Sequence, residues 1–114
     1  MSEDRIEVKT RTVNDATIVA PQGEIDLSRA PSLRTHLAAA QASRPRKLIV
    51  DLADVSYMDS SGVATLLEAM RTIQRSGGRL ILCCLQDKVR SIIEITRLDT
   101  VFTIVKTADD GLKA

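Results

Sequence analysis

The chain has 114 residues, 44% hydrophobic and 27% charged, a balance typical of one globular domain with a single core. Its formal net charge of +1 gives no strong field to attract nucleic acid or a membrane surface, and its only aromatic residues, Tyr57 and Phe102, offer no platform for stacking bases. Because His36 is the only histidine, a metal site built from histidines is not expected, and we predict neither a cofactor nor a metal.

Hydrophobic periodicity predicts strands and helices in alternation. The predicted strands cover residues 6–12, 16–22, 47–52, 79–85 and 101–105. The predicted helices cover residues 28–42, a segment that follows residues 59–62 and stops at residues 76–78, residues 87–96, and a short last stretch from residue 107. This order favours a largely parallel sheet to which the first hairpin adds an antiparallel pair. The expected fold class is therefore α/β, a mixed four- to five-stranded sheet packed with helices, in one domain over residues 1–114.

Turn signals separate these elements. Asn14 and Asp15 predict the first turn, and residues 23–26 read as a loop before the first helix. Pro31 is compatible with that helix only in its first turn. The near-continuous apolar run of residues 47–52 indicates a central strand, because a parallel strand is covered on both faces.

The two cysteines, Cys83 and Cys84, are adjacent within the predicted strand at residues 79–85. Neighbouring side chains of a strand point to opposite faces, so these two thiols are expected to be poorly placed to bridge each other. We interpret both as small core residues, with redox sensing as the alternative.

The N-terminal residues 1–5 contain no apolar run of the kind that marks a secretory signal. No stretch of the chain approaches the roughly 18 apolar residues of a membrane span. These two observations predict a cytoplasmic protein with no membrane partner.

The segment before the second helix carries the strongest functional signal. After this segment, residues 59–62 (Asp-Ser-Ser-Gly), apolar residues recur at the spacing of one helical face: Val63, Leu66, Leu67, Met70 and Ile73. Ser60 and Ser61 therefore fall at or next to a helix N-terminus, where backbone N–H groups lack partners and the dipole end is positive. Two interpretations stay open at this point, a hydroxyl that caps the helix or a hydroxyl that accepts a phosphate.

No catalytic residue is predicted. A serine hydrolase with a strand-turn-helix elbow needs a Gly-x-Ser-x-Gly motif and a histidine partner, but His36 lies on a different predicted helix. A phosphoacceptor aspartate needs carboxylates clustered at strand ends to hold a metal, whereas Asp51 falls within a predicted strand. Residues 76–78 lead into a strand, so they form no phosphate-binding loop. The chain is therefore predicted not to be an enzyme.

Five short segments carry a family resemblance. They are residues 23–26 (Gly-Glu-Ile-Asp), 48–52 (Leu-Ile-Val-Asp-Leu), 55–63 (Val-Ser-Tyr-Met-Asp-Ser-Ser-Gly-Val), 77–78 (Gly-Gly) and 95–102 (Ile-Thr-Arg-Leu-Asp-Thr-Val-Phe). In type and order they closely resemble the STAS domain of bacterial anti-sigma factor antagonists. The resemblance runs from about residue 6 to residue 106 and implies the STAS fold.

The resemblance also implies a partner switch controlled by phosphorylation. Unphosphorylated proteins of this kind bind an anti-sigma factor that is also a serine kinase, and so free a sigma factor for transcription. Phosphorylation of the serine after the motif's aspartate releases them, and a PP2C-type phosphatase restores them. Carried over by position, the acceptor is Ser60, and the expected partner-binding residues are Asp26, Asp59, Ser60, Ser61 and Gly62. Ser61 is expected to cap the helix, a role worth about 1 kcal/mol.

One alternative function stays open, a STAS interaction subunit of another signalling or transport complex in which the serine is not phosphorylated. Arg97 stands where the family often has glycine, and the last helix is short. Both departures could change the choice of partner, although neither touches the acceptor segment.

Overall fold

The computed structural model describes residues 4–114, so the first three residues of the predicted domain and of the N-terminal segment lie outside the described range. The strands are β1 (Val8–Val13), β2 (Ala16–Pro21), β3 (Gly23–Ile25), β4 (Lys47–Asp51), β5 (Val55–Met58), β6 (Arg79–Cys83) and β7 (Thr103–Val105). The helices are α1 (Ala30–Gln41), α2 (Ser60–Arg75), α3 (Asp87–Ile95) and α4 (Ala108–Lys113), with a short 3-10 helix over Leu98–Thr100.

Five of these strands form one mixed sheet, in the order β1-β2-β4-β6-β7. β1 and β2 are antiparallel, and each of the other neighbouring pairs is parallel. The turn between β1 and β2 contains Asn14 at φ 55°, a left-handed conformation that asparagine adopts more readily than most residues. The predicted α/β class and the mixed sheet packed with helices are confirmed.

Two further strands were not predicted. β3 and β5 pair in parallel to form a separate two-stranded sheet, in which Ile25 lies opposite Met58. Residues 23–26 were expected to be a loop, and this expectation is wrong; no strand was predicted between β4 and α2, where β5 lies. Each strand is only three or four residues long. Each of them forms a strand only by pairing with a segment about thirty residues away, and local periodicity does not reveal such a pairing.

Helices cover both faces of the larger sheet. Leu48 and Val50 of β4 pack in one core with α1, α2 and α3, whereas Ile49 packs in a second core with α4. All three side chains are fully buried, which explains the near-continuous apolar run and confirms the central position of this strand.

The ends of α1 and α2 follow the predicted turn chemistry. α1 begins at Ala30, two residues after the predicted start, and Pro31 lies in its first turn as expected. α2 ends at Arg75, and Gly77 follows with φ 85°, the left-handed conformation that glycine adopts freely at such a stop.

The turn after α3 contains the sequence's main departure from the family pattern. Arg97 has φ 61°, so this arginine itself takes the left-handed conformation that glycine adopts without strain. The chain then forms the 3-10 helix and reaches β7 at Thr103, two residues later than predicted. The path of the turn is therefore compatible with an arginine, at some cost in backbone strain.

In the part of the chain from residue 4 onward, none of the helices combines the length and the apolar character that crossing a membrane requires.

Candidate functional site

The predicted site residues lie at the carboxyl ends of β3 and β5. Ile25 and Met58 are paired in register, and the backbone N–H of Asp59 donates to the carbonyl oxygen of Ile25 at 3.1 Å. Asp26 and Asp59 are the next residues after these two strands. The small sheet that the sequence did not predict therefore brings the Asp26 turn and the start of α2 to one edge.

Asp59 caps α2. Its backbone is extended, and its carboxylate oxygen Oδ1 accepts from the backbone N–H of Ser61 at 2.9 Å and of Gly62 at 3.3 Å. The expectation that Ser61 is the cap is wrong. A capping residue needs a non-helical backbone, whereas Ser61 is already the second residue of the helix.

Ser60 is the first residue of α2, and its side chain is exposed. No residue from 4 to 114 forms a hydrogen bond with its hydroxyl within ordinary distance limits. Ser61 is half-buried, and its carbonyl oxygen accepts from the hydroxyl of Thr65 at 2.9 Å. Of the two serines, Ser60 is thus the more accessible to a modifying enzyme.

Gly62 lets the first turn of α2 lie against the small sheet. The residue is buried, and a Cβ atom built on it would overlap Cγ of Met58 and lie 3.1 Å from Cγ2 of Ile25. Gly62 was predicted to contact the partner, but its evident role is structural, because only a glycine lets the helix approach β3 and β5 this closely.

Asp26 organises the turn before α1. Its Oδ1 accepts from the hydroxyl of Ser28 at 2.8 Å and from the backbone N–H of Arg29 at 3.1 Å, and its Oδ2 forms an ion pair with Nη1 of Arg29 at 3.2 Å. The Ser28 hydroxyl is the main cause that lowers the pKa of Asp26, and the backbone N–H and charge of Arg29 lower it further. Asp26 is thus held ionised at this edge.

Sequence reasoning missed one residue of this turn. Leu27 leaves 75% of its surface exposed, although it is a large apolar residue, and it stands between Asp26 and Ser28. Its segment was taken only as the approach to a helix, and no periodic pattern marks a single apolar side chain in a turn. An apolar side chain beside charged groups is suited to contact with another protein.

Comparison with known proteins gives the family. Residues 7–111 match the STAS domain family. The anti-sigma-B factor antagonist of Listeria monocytogenes is 33% identical over 99 residues, which span 87% of this chain and 86% of that protein. The protein of the same description from Bacillus subtilis is 33% identical over 91 residues, or 80% of this chain and 83% of that protein.

A solved structure supports the same assignment. The crystal structure of an anti-sigma factor antagonist from Mycobacterium paratuberculosis superposes with a TM-score of 0.87 at 28% sequence identity, covering 99% of this chain and 97% of that one. The predicted STAS fold is confirmed. The chain belongs to the STAS domain family and, within it, to the anti-sigma factor antagonists, which are binding regulators rather than enzymes.

Proposed function

We propose that this chain is a single-domain anti-sigma factor antagonist that is switched by phosphorylation of Ser60. Unphosphorylated, it binds a kinase-type anti-sigma factor through the edge formed by the Asp26 turn and the start of α2. The kinase activity of that partner phosphorylates Ser60 and releases the chain, and a PP2C-type phosphatase restores binding. The relatives described as anti-sigma-B factor antagonists support the anti-sigma factor as the class of partner.

The observation that carries this proposal is the division of roles between Asp59 and Ser60. Asp59 caps the helix, so the exposed hydroxyl of Ser60 has no structural task among the described residues. A phosphate added there gains from the positive end of the helix dipole, by about 0.3–1 kcal/mol for an exposed group. The fold is therefore expected to survive the modification.

The surroundings of Ser60 explain why a partner would be released. A phosphoserine adds about −1.5 to −2 charges at neutral pH. Asp59 is its direct neighbour, and Asp26 lies at the same edge with its carboxylate ionised. A partner surface that accommodates these two carboxylates would also have to desolvate the phosphate, at a cost of several kcal/mol if it stays unpaired. Since about 1.4 kcal/mol changes affinity tenfold, one phosphate is sufficient to break the complex.

The test uses the chain and a kinase-type anti-sigma factor from the same organism. Incubation with ATP, followed by mass-spectrometric mapping, should find the phosphate on Ser60. Ser60→Ala should keep full affinity for the kinase in the presence of ATP. Ser60→Asp should bind at least tenfold more weakly. Ser43→Asp is the matched control, because Ser43 is also exposed but lies just after the C-terminal end of α1.

Two results would contradict the switch. A phosphate mapped to another residue would remove Ser60 as the acceptor. Equal affinity of the wild-type chain, Ser60→Ala and Ser60→Asp would show that charge at this position does not control binding.

A further inference from the structure

Three possible metal ligands converge at the carboxyl edge of the larger sheet, on the face covered by α4. Asp51 is the last residue of β4 and Cys83 the last of β6, and the two are paired in register. Cys84 follows directly. One carboxylate oxygen of Asp51 and the two Sγ atoms all lie within 4.8 Å of one another. Residues 4–114 contain no other group of three such side chains.

The backbone of Cys84 explains why the two thiols meet. In an extended strand, consecutive side chains point to opposite faces. Cys84 instead has φ 63°, and its backbone N–H donates to the carbonyl oxygen of Lys106 at 3.2 Å. This left-handed turn brings its side chain to the α4 face, where it packs against the core that contains Cys83. The expectations that the strand runs to residue 85 and that the thiols point apart are therefore wrong.

The donor set selects the class of ion. Two sulfur ligands favour soft or borderline cations such as Zn²⁺ and Cd²⁺ over Mg²⁺ or Ca²⁺, which prefer oxygen. Zn–S bonds of about 2.3 Å in a tetrahedral site separate two sulfurs by about 3.8 Å. Since the two Sγ atoms lie no more than 4.8 Å apart, they would have to approach each other by at most about 1 Å to meet that geometry. Cys84 and Asp51 are half-buried rather than enclosed, so an ion can reach them from solvent.

We propose that Asp51, Cys83 and Cys84 bind one thiophilic divalent cation of the zinc and cadmium class, with a fourth coordination position open to water. Metal-bound cysteine is a thiolate, so each thiol gives up its proton to solvent as its sulfur binds the ion. The two thiolates and the Asp51 carboxylate together carry three negative charges, so the site with its divalent cation has a net charge of −1. The bound ion would join the ends of β4 and β6.

A shared cation accounts for this pair better than a disulfide between its members does. The Cα atoms of consecutive residues lie about 3.8 Å apart across a trans peptide bond. Ordinary disulfides join Cα atoms about 4.4–6.8 Å apart. Asp51 would also have no part in a disulfide, whereas it completes a set of three ligands for an ion.

The test titrates the full, reduced, metal-free chain with cadmium chloride, and then with zinc chloride, by calorimetry and ultraviolet absorption. We expect one ion per chain and a thiolate-to-cadmium charge-transfer band. Cys84→Ser should weaken cadmium binding by at least about tenfold and reduce the band. Asp51→Asn should weaken cadmium binding by about tenfold. The asparagine's amide oxygen can still accept from the backbone N–H of Ala53, as the Asp51 carboxylate does at 3.0 Å, so the local turn should be kept. Asp54→Asn is the matched control, because Asp54 is an exposed aspartate just before β5 that does not belong to the ligand group, and this variant should bind like the wild-type chain.

The proposal is overturned if the wild-type chain binds neither ion. It is also overturned if Cys84→Ser, shown by circular dichroism to be folded, binds cadmium as tightly as the wild-type chain. Equal losses in Asp51→Asn and Asp54→Asn would remove Asp51 from the site. None of these results depends on phosphorylation of Ser60.

Discussion

The N-terminal ends of α1 and α2 both lie at the candidate site, and they are stabilised by different contacts. At α2, the Asp59 carboxylate accepts two backbone N–H groups, and the first turn lies directly on the small sheet through Gly62. At α1, the residue before the helix, Arg29, makes no capping bond with its side chain. The preceding turn is instead organised by Asp26 and leaves Leu27 exposed.

If the proposed function holds, this contrast assigns stability to one part of the surface and partner contact to the other. The start of α2 is held by the protein's own contacts, so a phosphate there would change charge rather than shape. The turn before α1 presents an ionised carboxylate and an apolar side chain to the outside, which suits it to contact with a partner. Mutations of the residues that hold the start of α2, Asp59 and Gly62, should therefore affect stability, whereas mutation of the exposed Leu27 should affect affinity.

The largest effect on stability is expected from Gly62→Ala. The added methyl group would overlap Met58 and press on Ile25, both fully or nearly fully buried, and should destabilise the fold by about 2 kcal/mol. Urea denaturation measures the change. Gly111→Ala is the control, because its nearest contact would be Cδ1 of Ile49 at 3.2 Å and the cost should be clearly smaller. Equal losses in the two variants would argue against a close approach of α2 to the small sheet at Gly62.

The strongest effect on affinity in the unphosphorylated state is expected from Leu27→Ala. Loss of this exposed apolar contact should weaken binding to the anti-sigma factor by about tenfold. Stability should stay within about 0.5 kcal/mol of the wild-type value. Ile95→Ala is the matched control, since Ile95 is 77% exposed but lies at the end of α3. Calorimetric titration of each variant with the partner decides whether Leu27 belongs to the interface.

A smaller loss of stability is expected from Asp59→Ala. Removal of the cap should cost about 1 kcal/mol, whereas Asp59→Asn, which keeps an acceptor oxygen, should cost less. Ser61→Ala should change the free energy of unfolding by less than about 0.5 kcal/mol, because Ser61 is not the cap. Chemical denaturation of the three variants tests the assignment, and a larger loss in Ser61→Ala than in Asp59→Ala would reverse it.

The smallest effect concerns the ionisation of Asp26. Its pKa in the folded protein should lie below the ordinary value of 3.8, and Ser28→Ala should raise it by removing the hydroxyl that contributes most. Because the folded-state pKa is depressed, the stability gained from this carboxylate is full above the ordinary pKa and is lost as pH falls through the lower folded-state value. An NMR titration of the carboxyl carbon measures both values, and an identical pKa in Ser28→Ala would contradict the assigned cause.

Local pattern was enough to predict most of the elements and the helix start at which the proposed acceptor lies. The amphipathic repeat behind Gly62 places α2, and the apolar run at residues 47–52 places a central strand, because both signals reside in consecutive residues. The family resemblance then points to Ser60 and Asp26 from short motifs that keep their order along the chain.

Long-range packing accounts for what local pattern could not show. β3 and β5 are strands only because they pair with each other, and that pairing carries Asp26 and Asp59 to one edge. Register places Asp51 beside Cys83, and the left-handed turn at Cys84 brings the second thiol to the same face. The physical reason is the same in each case: the partner is distant in the sequence, and each contact becomes favourable only once the sheets have formed.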